Sequence, residues 1–230
     1  MVLRNYYEIL ILVNMHWQDE GFLLSRNNFD ENSIIIEAFT LHHGKYNGIV
    51  YGGSSRNQKR NFQIGNKIQL NWKSKGQNKS GYFNIELIEA ISPLFFDDKK
   101  RSICILAATS FLKILLPERQ INKKIYNSFE KMLNNLKSDN WINLYINWEL
   151  ALIKQLGFEI NLLRSTNPIK INNKLFTIPN LLLNNNINKN SSNEIREALI
   201  FNKNLLMENL IIPNSLKFPL FRNILENYYI

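Results

Sequence analysis

Between Gly21 and Ala90 the apolar positions come in short β-rich runs broken by turn residues. Lys67-Ile68-Gln69-Leu70-Asn71-Trp72 alternates polar and apolar strictly, and Tyr82 to Leu87 does so in part, which is the period-two pattern of half-buried strands. Phe22 to Ser25, the β-branched run Ser33 to Leu41 and the run Tyr46 to Tyr51 supply three more, with a turn around Asn27 to Asn32 and another starting at Gly44. Five short strands in about 75 residues predict a small closed or partly closed barrel, which hides its sheet edges.

After Pro93 the period changes. Segments 99–116, 121–136 and 140–156 place apolar residues three and four apart: Ile103, Leu106, Ala107 and Phe111; Ile125, Phe129, Met132, Leu133 and Leu136; Trp141, Leu144, Tyr145, Trp148, Leu152 and Leu156. Pro117 stops the first of these helices, Ser138 or Asp139 is placed to cap the third, and Gly157 to close it in a left-handed conformation. The three are expected to pack as an antiparallel bundle. From Phe158 to Asn193 the chain turns polar: a short hairpin is predicted about Asn172-Asn173-Lys174, and Asn184 to Asn193 reads as a mobile, low-complexity stretch. Ser191 and Glu194 form a capping-box signature for a helix to about Asn209, and Pro219 begins a last short one. The expected fold class is α+β, β then α: a barrel domain over 15–92, then a helical domain over 93–230 with a polar insert at about 163–193. Residues 1–14 fit poorly with the barrel pattern and read as an N-terminal extension, with translation expected to begin at Met15.

The charge pattern gives the barrel a candidate task. From Ala38 to Ile85, forty-eight residues carry eight Lys or Arg and no Asp or Glu, with a small flexible segment, Gly52-Gly53-Ser54-Ser55, at their centre. Tyr46, Tyr51, Phe62, Trp72, Tyr82 and Phe83 lie in or beside this stretch. Cations that displace counterions from phosphates, beside rings that stack on unpaired bases, are what a nucleic-acid groove needs. Arg56, Lys59 and Arg60 are the foremost candidate DNA-binding residues, followed by Lys45, Lys73, Lys75 and Lys79. The net charge of +9 carries less weight, because 36 Asn and 30 Ile suggest an A/T-rich genome whose codons also favour Lys.

Catalytic readings find little support. No phosphate-binding loop is present, Gly52-Gly53 lacking the spacing. Adjacent His42 and His43 would point to opposite faces of a strand, so loop positions or phosphate contacts suit them better than a shared metal. Asp97-Asp98 at a helix start complements the helix dipole. The single cysteine, Cys104, sits in an apolar run and excludes an internal disulfide framework or a cysteine-rich zinc site. No window approaches the ~18 apolar residues of a membrane span. The expectation is a soluble, cytoplasmic binding protein, not an enzyme, with no cofactor and no metal.

Several motifs together resemble the RecO family of bacterial recombination mediators: Trp17-Gln18-Asp19-Glu20-Gly21-Phe22-Leu23-Leu24, Thr40-Leu41-His42-His43-Gly44-Lys45, Gly52-Gly53-Ser54-Ser55-Arg56, Leu115-Leu116-Pro117-Glu118-Arg119 and Trp148-Glu149-Leu150-Ala151-Leu152 through Phe158. Pro219 to Leu225, with Arg222, is similar to the family's C-terminal helix. The resemblance implies an N-terminal OB-fold barrel and a helical domain that bind single- and double-stranded DNA and anneal complementary strands without a nucleotide cofactor. It also implies partners: RecR, single-strand-binding protein through its acidic C-terminal tail, and RecA indirectly. Many members carry a four-cysteine zinc module that would begin here near Leu163-Arg164-Ser165-Thr166; this chain has no cysteine there. An RNA-binding OB-fold protein and a protein-interaction scaffold are the alternative readings.

Overall fold

The computed structural model describes residues 15–53, 62–74, 81–158, 168–183 and 190–230. The expectations for 1–14, for the zinc-module positions and for most of the low-complexity stretch lie outside the described residues.

Five strands, β1 (Met15–Asn28), β2 (Ser33–Thr40), β3 (Gly44–Tyr51), β4 (Lys67–Ser74) and β5 (Tyr82–Glu89), close into a barrel in the order β1-β2-β3-β5-β4. β3 and β5 pair in parallel through Ile49 and Tyr82, and every other pairing is antiparallel. Closure depends on β1, which pairs β4 from Met15 to Phe22 and β2 from Gly21 to Asn28, with a bulge between Leu23 and Ser25. A Cβ on Gly21 would lie 2.7 Å from the Phe39 carbonyl oxygen, so a glycine stands where β1 passes from one neighbour to the other. The strand is longer than its apolar run Phe22 to Ser25 foretold. Trp17, Asp19 and Gly21 share one phase of the pleat, and a carboxylate and a glycine there interrupt the alternation. Leu23, Ile36, Val50, Phe62, Leu70 and Ile85 are among the residues that fill the interior.

The chain divides into two compact units, 1–97 with 109–122, and 98–108 with 123–230. Helix α1 (Lys99–Leu115) contributes its first turns to the second and its last turns to the first. This explains why its burial departs from the expected stripe: Cys104, Ile105, Ala108 and Leu112 are buried while Ile103 and Leu106 are only half-buried. Within the first unit, 109–122 lies over the β2–β3 face. The Arg119 N–H donates to the Lys45 carbonyl (2.8 Å), Asn47 Nδ2 donates to Glu118 Oε1 (2.8 Å), and Lys113 Nζ meets Glu37 Oε2 (2.8 Å). Gly44, at φ +77°, sits so close that an added Cβ would fall 2.2 Å from the Gln120 carbonyl oxygen.

In the second unit Asp98 caps α1 by accepting the Arg101 N–H (3.0 Å). Burial opposes its ionisation, but that N–H and the Arg101 guanidinium outweigh it and hold the carboxyl below its usual range. Helices α2 (Lys123–Asn134) and α3 (Trp141–Gln155) come next, with a 3₁₀ turn (Asn135–Lys137) between them. Neither Ser138 nor Asp139 caps α3. Its N-cap is Asn140, which makes no side-chain cap bond, while the Ser138 hydroxyl accepts the Asn140 N–H (3.2 Å). At the other end Gly157 adopts φ +99°, its N–H donates to Lys154 and the Phe158 N–H donates to Ile153, closing α3 in a Schellman motif. The hairpin pairs β6 (Ile169–Ile171) with β7 (Lys174–Phe176) across Asn172 (φ +46°) and Asn173 (φ +66°), the two positive values that a type I′ turn requires. A short helix α4 (Asn180–Leu183) precedes α5 (Ser192–Leu206), which starts at the expected capping box and runs on through one π turn (Met207–Ile211); α6 (Leu220–Asn227) closes the chain. α3 packs against both α2 and α5, and α5 against α6; the principal helix–helix packings are these, and not among the first three helices alone as expected.

Candidate nucleic-acid interface

The register of β1, β4 and β5 sets the barrel's outward side chains in rows across the strands. His16, Lys73 and Tyr82 form one row, Gln18, Asn71 and Asn84 the next, and Glu20, Gln69 and Glu86 the third. The face therefore grades from cationic and aromatic, through amides, to acidic. Tyr82 is also the register partner of Ile49 in β3, and its ring lies 6.1 Å from that of Tyr51. Both tyrosines are exposed, Tyr51 at 68% and Tyr82 at 37%. From this corner two basic segments depart: β3 ends at Tyr51 before Gly52-Gly53 and 54–61, and β4 ends at Ser74 before 75–80. Gly52 takes φ +71° with open space around it, whereas a Cβ on Gly53 would meet the Ile34 side chain at 2.6 Å. Two exposed rings beside Lys73 can stack on unpaired bases while the ammonium meets a phosphate.

Of the seven candidate cations, Arg56, Lys59, Arg60, Lys75 and Lys79 lie outside the described residues. Lys73 is exposed at the aromatic corner. Lys45 is different. It is buried on the covered β2–β3 face, where its Nζ donates to the Lys113 carbonyl (2.5 Å), so its ammonium is spent inside the protein and does not reach out as a phosphate contact would. Burial pushes its pKa down; Glu37 and Glu118 push it back up without cancelling the shift. Charge in a sequence says nothing of burial by a segment far along the chain.

The six aromatic residues noted in the basic stretch also divide. Phe62, Trp72 and Phe83 are core, Tyr46 is half-buried against that core, and Tyr51 and Tyr82 face out. For Tyr82 the signal was available, since Phe83 and Ile85 hold the apolar phase of β5 and Tyr82 the opposite one. His42 and His43 occupy the turn between β2 and β3. Among the described residues no three His, Cys, Asp or Glu side chains gather to hold a metal ion, and no helix is long and apolar enough to cross a membrane. Cys104 is buried, which raises its thiol pKa well above the ordinary value and leaves it a packing residue.

A closed five-stranded barrel in the order β1-β2-β3-β5-β4, with a cationic and aromatic corner and a helical unit following, defines an OB-fold protein with an attached α-helical domain. The family models for the recombination protein O N-terminal and C-terminal regions match residues 15–91 and 97–168. A DNA repair protein RecO of Wolbachia sp. subsp. Drosophila simulans is 30% identical over 239 residues, covering 92% of this chain and 99% of the relative. That of Wolbachia pipientis subsp. Culex pipiens is 30% identical over 242 residues, covering 93% and 99%. One from Cereibacter sphaeroides is 32% identical over 150 residues, 65% of this chain and 63% of the relative. The chain belongs to the RecO family.

Proposed function

We propose that this chain is a DNA-binding mediator of recombinational repair. It anneals complementary single strands and, with RecR, helps to load RecA on DNA coated with single-strand-binding protein. The observation that carries this reading is the corner formed by Tyr51, Tyr82 and Lys73, from which both basic segments leave the barrel. Exposed rings favour unpaired bases over a stacked duplex, and annealing requires a protein that holds single strands without melting anything itself. No step of annealing needs a bound nucleotide, so the reading is of a binding protein and not an enzyme, acting in the cytoplasm where the chromosome is. For the single-strand-binding protein's acidic, hydrophobic-ended tail, a groove of about 240 Å³ between α2 and α3 offers an apolar floor of Met132, Leu144, Trp148 and Ala151 with Lys131 at its side.

The test is annealing of complementary oligonucleotides coated with the cognate single-strand-binding protein, with and without ATP. Annealing that proceeds equally well without ATP is the expected result, and a strict ATP requirement would overturn the reading.

A further inference from the structure

At the margin of the barrel core the rings of Trp72, Trp17 and His43 form a column distinct from the Tyr51–Tyr82 corner. Asp19, buried, accepts the backbone N–H of His42 (2.7 Å) and pairs with His43 Nδ1 (2.9 Å). Thr40 Oγ1 accepts the His43 N–H (3.2 Å), so both the backbone and the ring of His43 are held in place. The imidazole lies flat on Trp17, centroids 4.2 Å apart and 8° from parallel; Trp17 lies in turn 5.6 Å from Trp72 at 15°. Among the described residues neither indole N–H finds an acceptor, so ring-on-ring packing sets this column. Gly81 makes room for it, since a Cβ there would fall 2.2 Å from the Trp72 ring. Tyr46 abuts Trp17 edge-on at 5.0 Å, and the Arg119 guanidinium stands 5.5 Å from the Tyr46 ring.

His43 ends the column. Trp17 takes one face of its ring and Asp19 takes Nδ1, while 31% of the side chain remains exposed. Trp17 and Trp72 directly neighbour His16 and Lys73, the cationic row of the outer face.

The geometry points to His43 as a stacking platform for one unpaired base of a single-stranded nucleic acid, which extends the His43–Trp17–Trp72 column by a fourth ring. This rests on the DNA-binding reading above and adds a second contact to it. A ring already locked by a buried carboxylate loses no rotamer freedom when a base settles on it, and a paired base inside a duplex has no free face to give. Stacking adds affinity without releasing counterions, which separates this contact from the phosphate contacts of Lys and Arg.

The experiment is equilibrium binding by the full chain of a labelled oligothymidylate and of the same-length oligomer with every base replaced by an abasic site, across a range of salt. His43→Ala is expected to weaken oligothymidylate binding roughly tenfold, with an unchanged salt slope and no effect on the abasic oligomer. His43→Phe keeps the ring and loses the Asp19 contact, and is expected to bind like the wild type. Equal affinities of His43→Ala and wild type, or a loss shared by the abasic oligomer, or loss in His43→Phe with an unaltered melting temperature, would overturn the platform while leaving the DNA-binding reading intact. Failure of the wild type to bind either oligomer would overturn both.

Discussion

Arg222 and Glu149 meet inside the helical unit with neither side chain exposed: Nε lies 2.5 Å from Oε1 and Nη2 3.2 Å from Oε2. Arg222 Nη2 also donates to the Leu199 carbonyl (2.7 Å) and Nη1 to Glu226 (3.3 Å), while Asn202 Nδ2 donates to Glu149 (3.1 Å) and to the Ile146 carbonyl (2.9 Å). One ion pair thus joins α3, α5 and α6. Burial alone would depress the Arg222 pKa, but the Glu149 carboxylate more than offsets it and leaves the guanidinium charged. Breaking such a pair strands a buried charge, so Arg222→Ala is expected to destabilise the protein by about 3–5 kcal/mol, and Arg222→Lys, which cannot make the forked contact, by a large part of that. The double change Glu149→Met with Arg222→Met removes both charges and is expected to recover most of the loss. Urea unfolding followed by circular dichroism measures all three; a loss under about 1 kcal/mol in Arg222→Ala would contradict the account.

At the corner proposed to bind DNA, rings and cations are expected to separate by their salt dependence. Tyr51→Ala and Tyr82→Ala should each weaken single-strand binding by about 1–3 kcal/mol without changing the salt slope. Lys73→Ala should lower that slope by about one, and Arg56, Lys59 and Arg60 replaced together by Ala should flatten it further. Lys45→Met should leave both affinity and slope alone, because its ammonium is already bonded to the Lys113 carbonyl. A Lys45→Met slope matching that of Lys73→Ala would refute the placement.

Acid should weaken the cover over β2–β3. Burial opposes the ionisation of Glu37, but the Lys113 ammonium and the Ser25 hydroxyl outweigh it and hold the carboxyl below its ordinary value of 4.5. A folded-state value below the unfolded one stabilises the fold fully above that ordinary value, and the contribution drains away as pH falls through the folded value. Glu37→Gln should therefore lose less stability than the wild type when the pH is lowered from about 5 to about 3. Denaturation midpoints measured at several pH values decide this, and parallel curves for the two proteins would rule it out.

Two glycines with left-handed backbones should respond differently to alanine. Gly52→Ala meets open space and bears only the conformational strain, about 1–2 kcal/mol. Gly44→Ala bears the same strain and also drives a methyl into the Gln120 backbone, so it should cost clearly more and loosen the 118–120 segment. Thermal melts of the two variants, with hydrogen exchange at Arg119, provide the comparison.

Local signals in the sequence were legible and distant ones were not. The alternation of β4, the left-handed Gly157 and the Ser191–Glu194 capping box each involve neighbours in the chain, and all three recur in the structure. The early part of β1 was hidden because its inward phase includes Asp19 and Gly21, residues that hydrophobic periodicity reads as polar or neutral. Lys45 and Lys73 look alike as charges in a basic stretch; what separates them is a carbonyl 68 residues from Lys45. Arg222 and Glu149, 73 residues apart, carry no mutual sign at all in an isolated sequence. Which aromatic residues of the basic stretch point outward depended on strand phase and register.

The division of α1 between the units makes the barrel discontinuous along the backbone, and no single cut can sever one unit from the other. A fragment ending at residue 97 would keep all five strands yet lose Lys113, Glu118 and Arg119. Glu37 would keep the Ser25 hydroxyl but lose Lys113, the Lys45 ammonium would lose the Lys113 carbonyl, and Phe39, now fully buried, would lie on a stripped sheet face open to self-association. Excising the barrel whole requires splicing 109–122 back onto it, a rewiring of the chain and not a truncation.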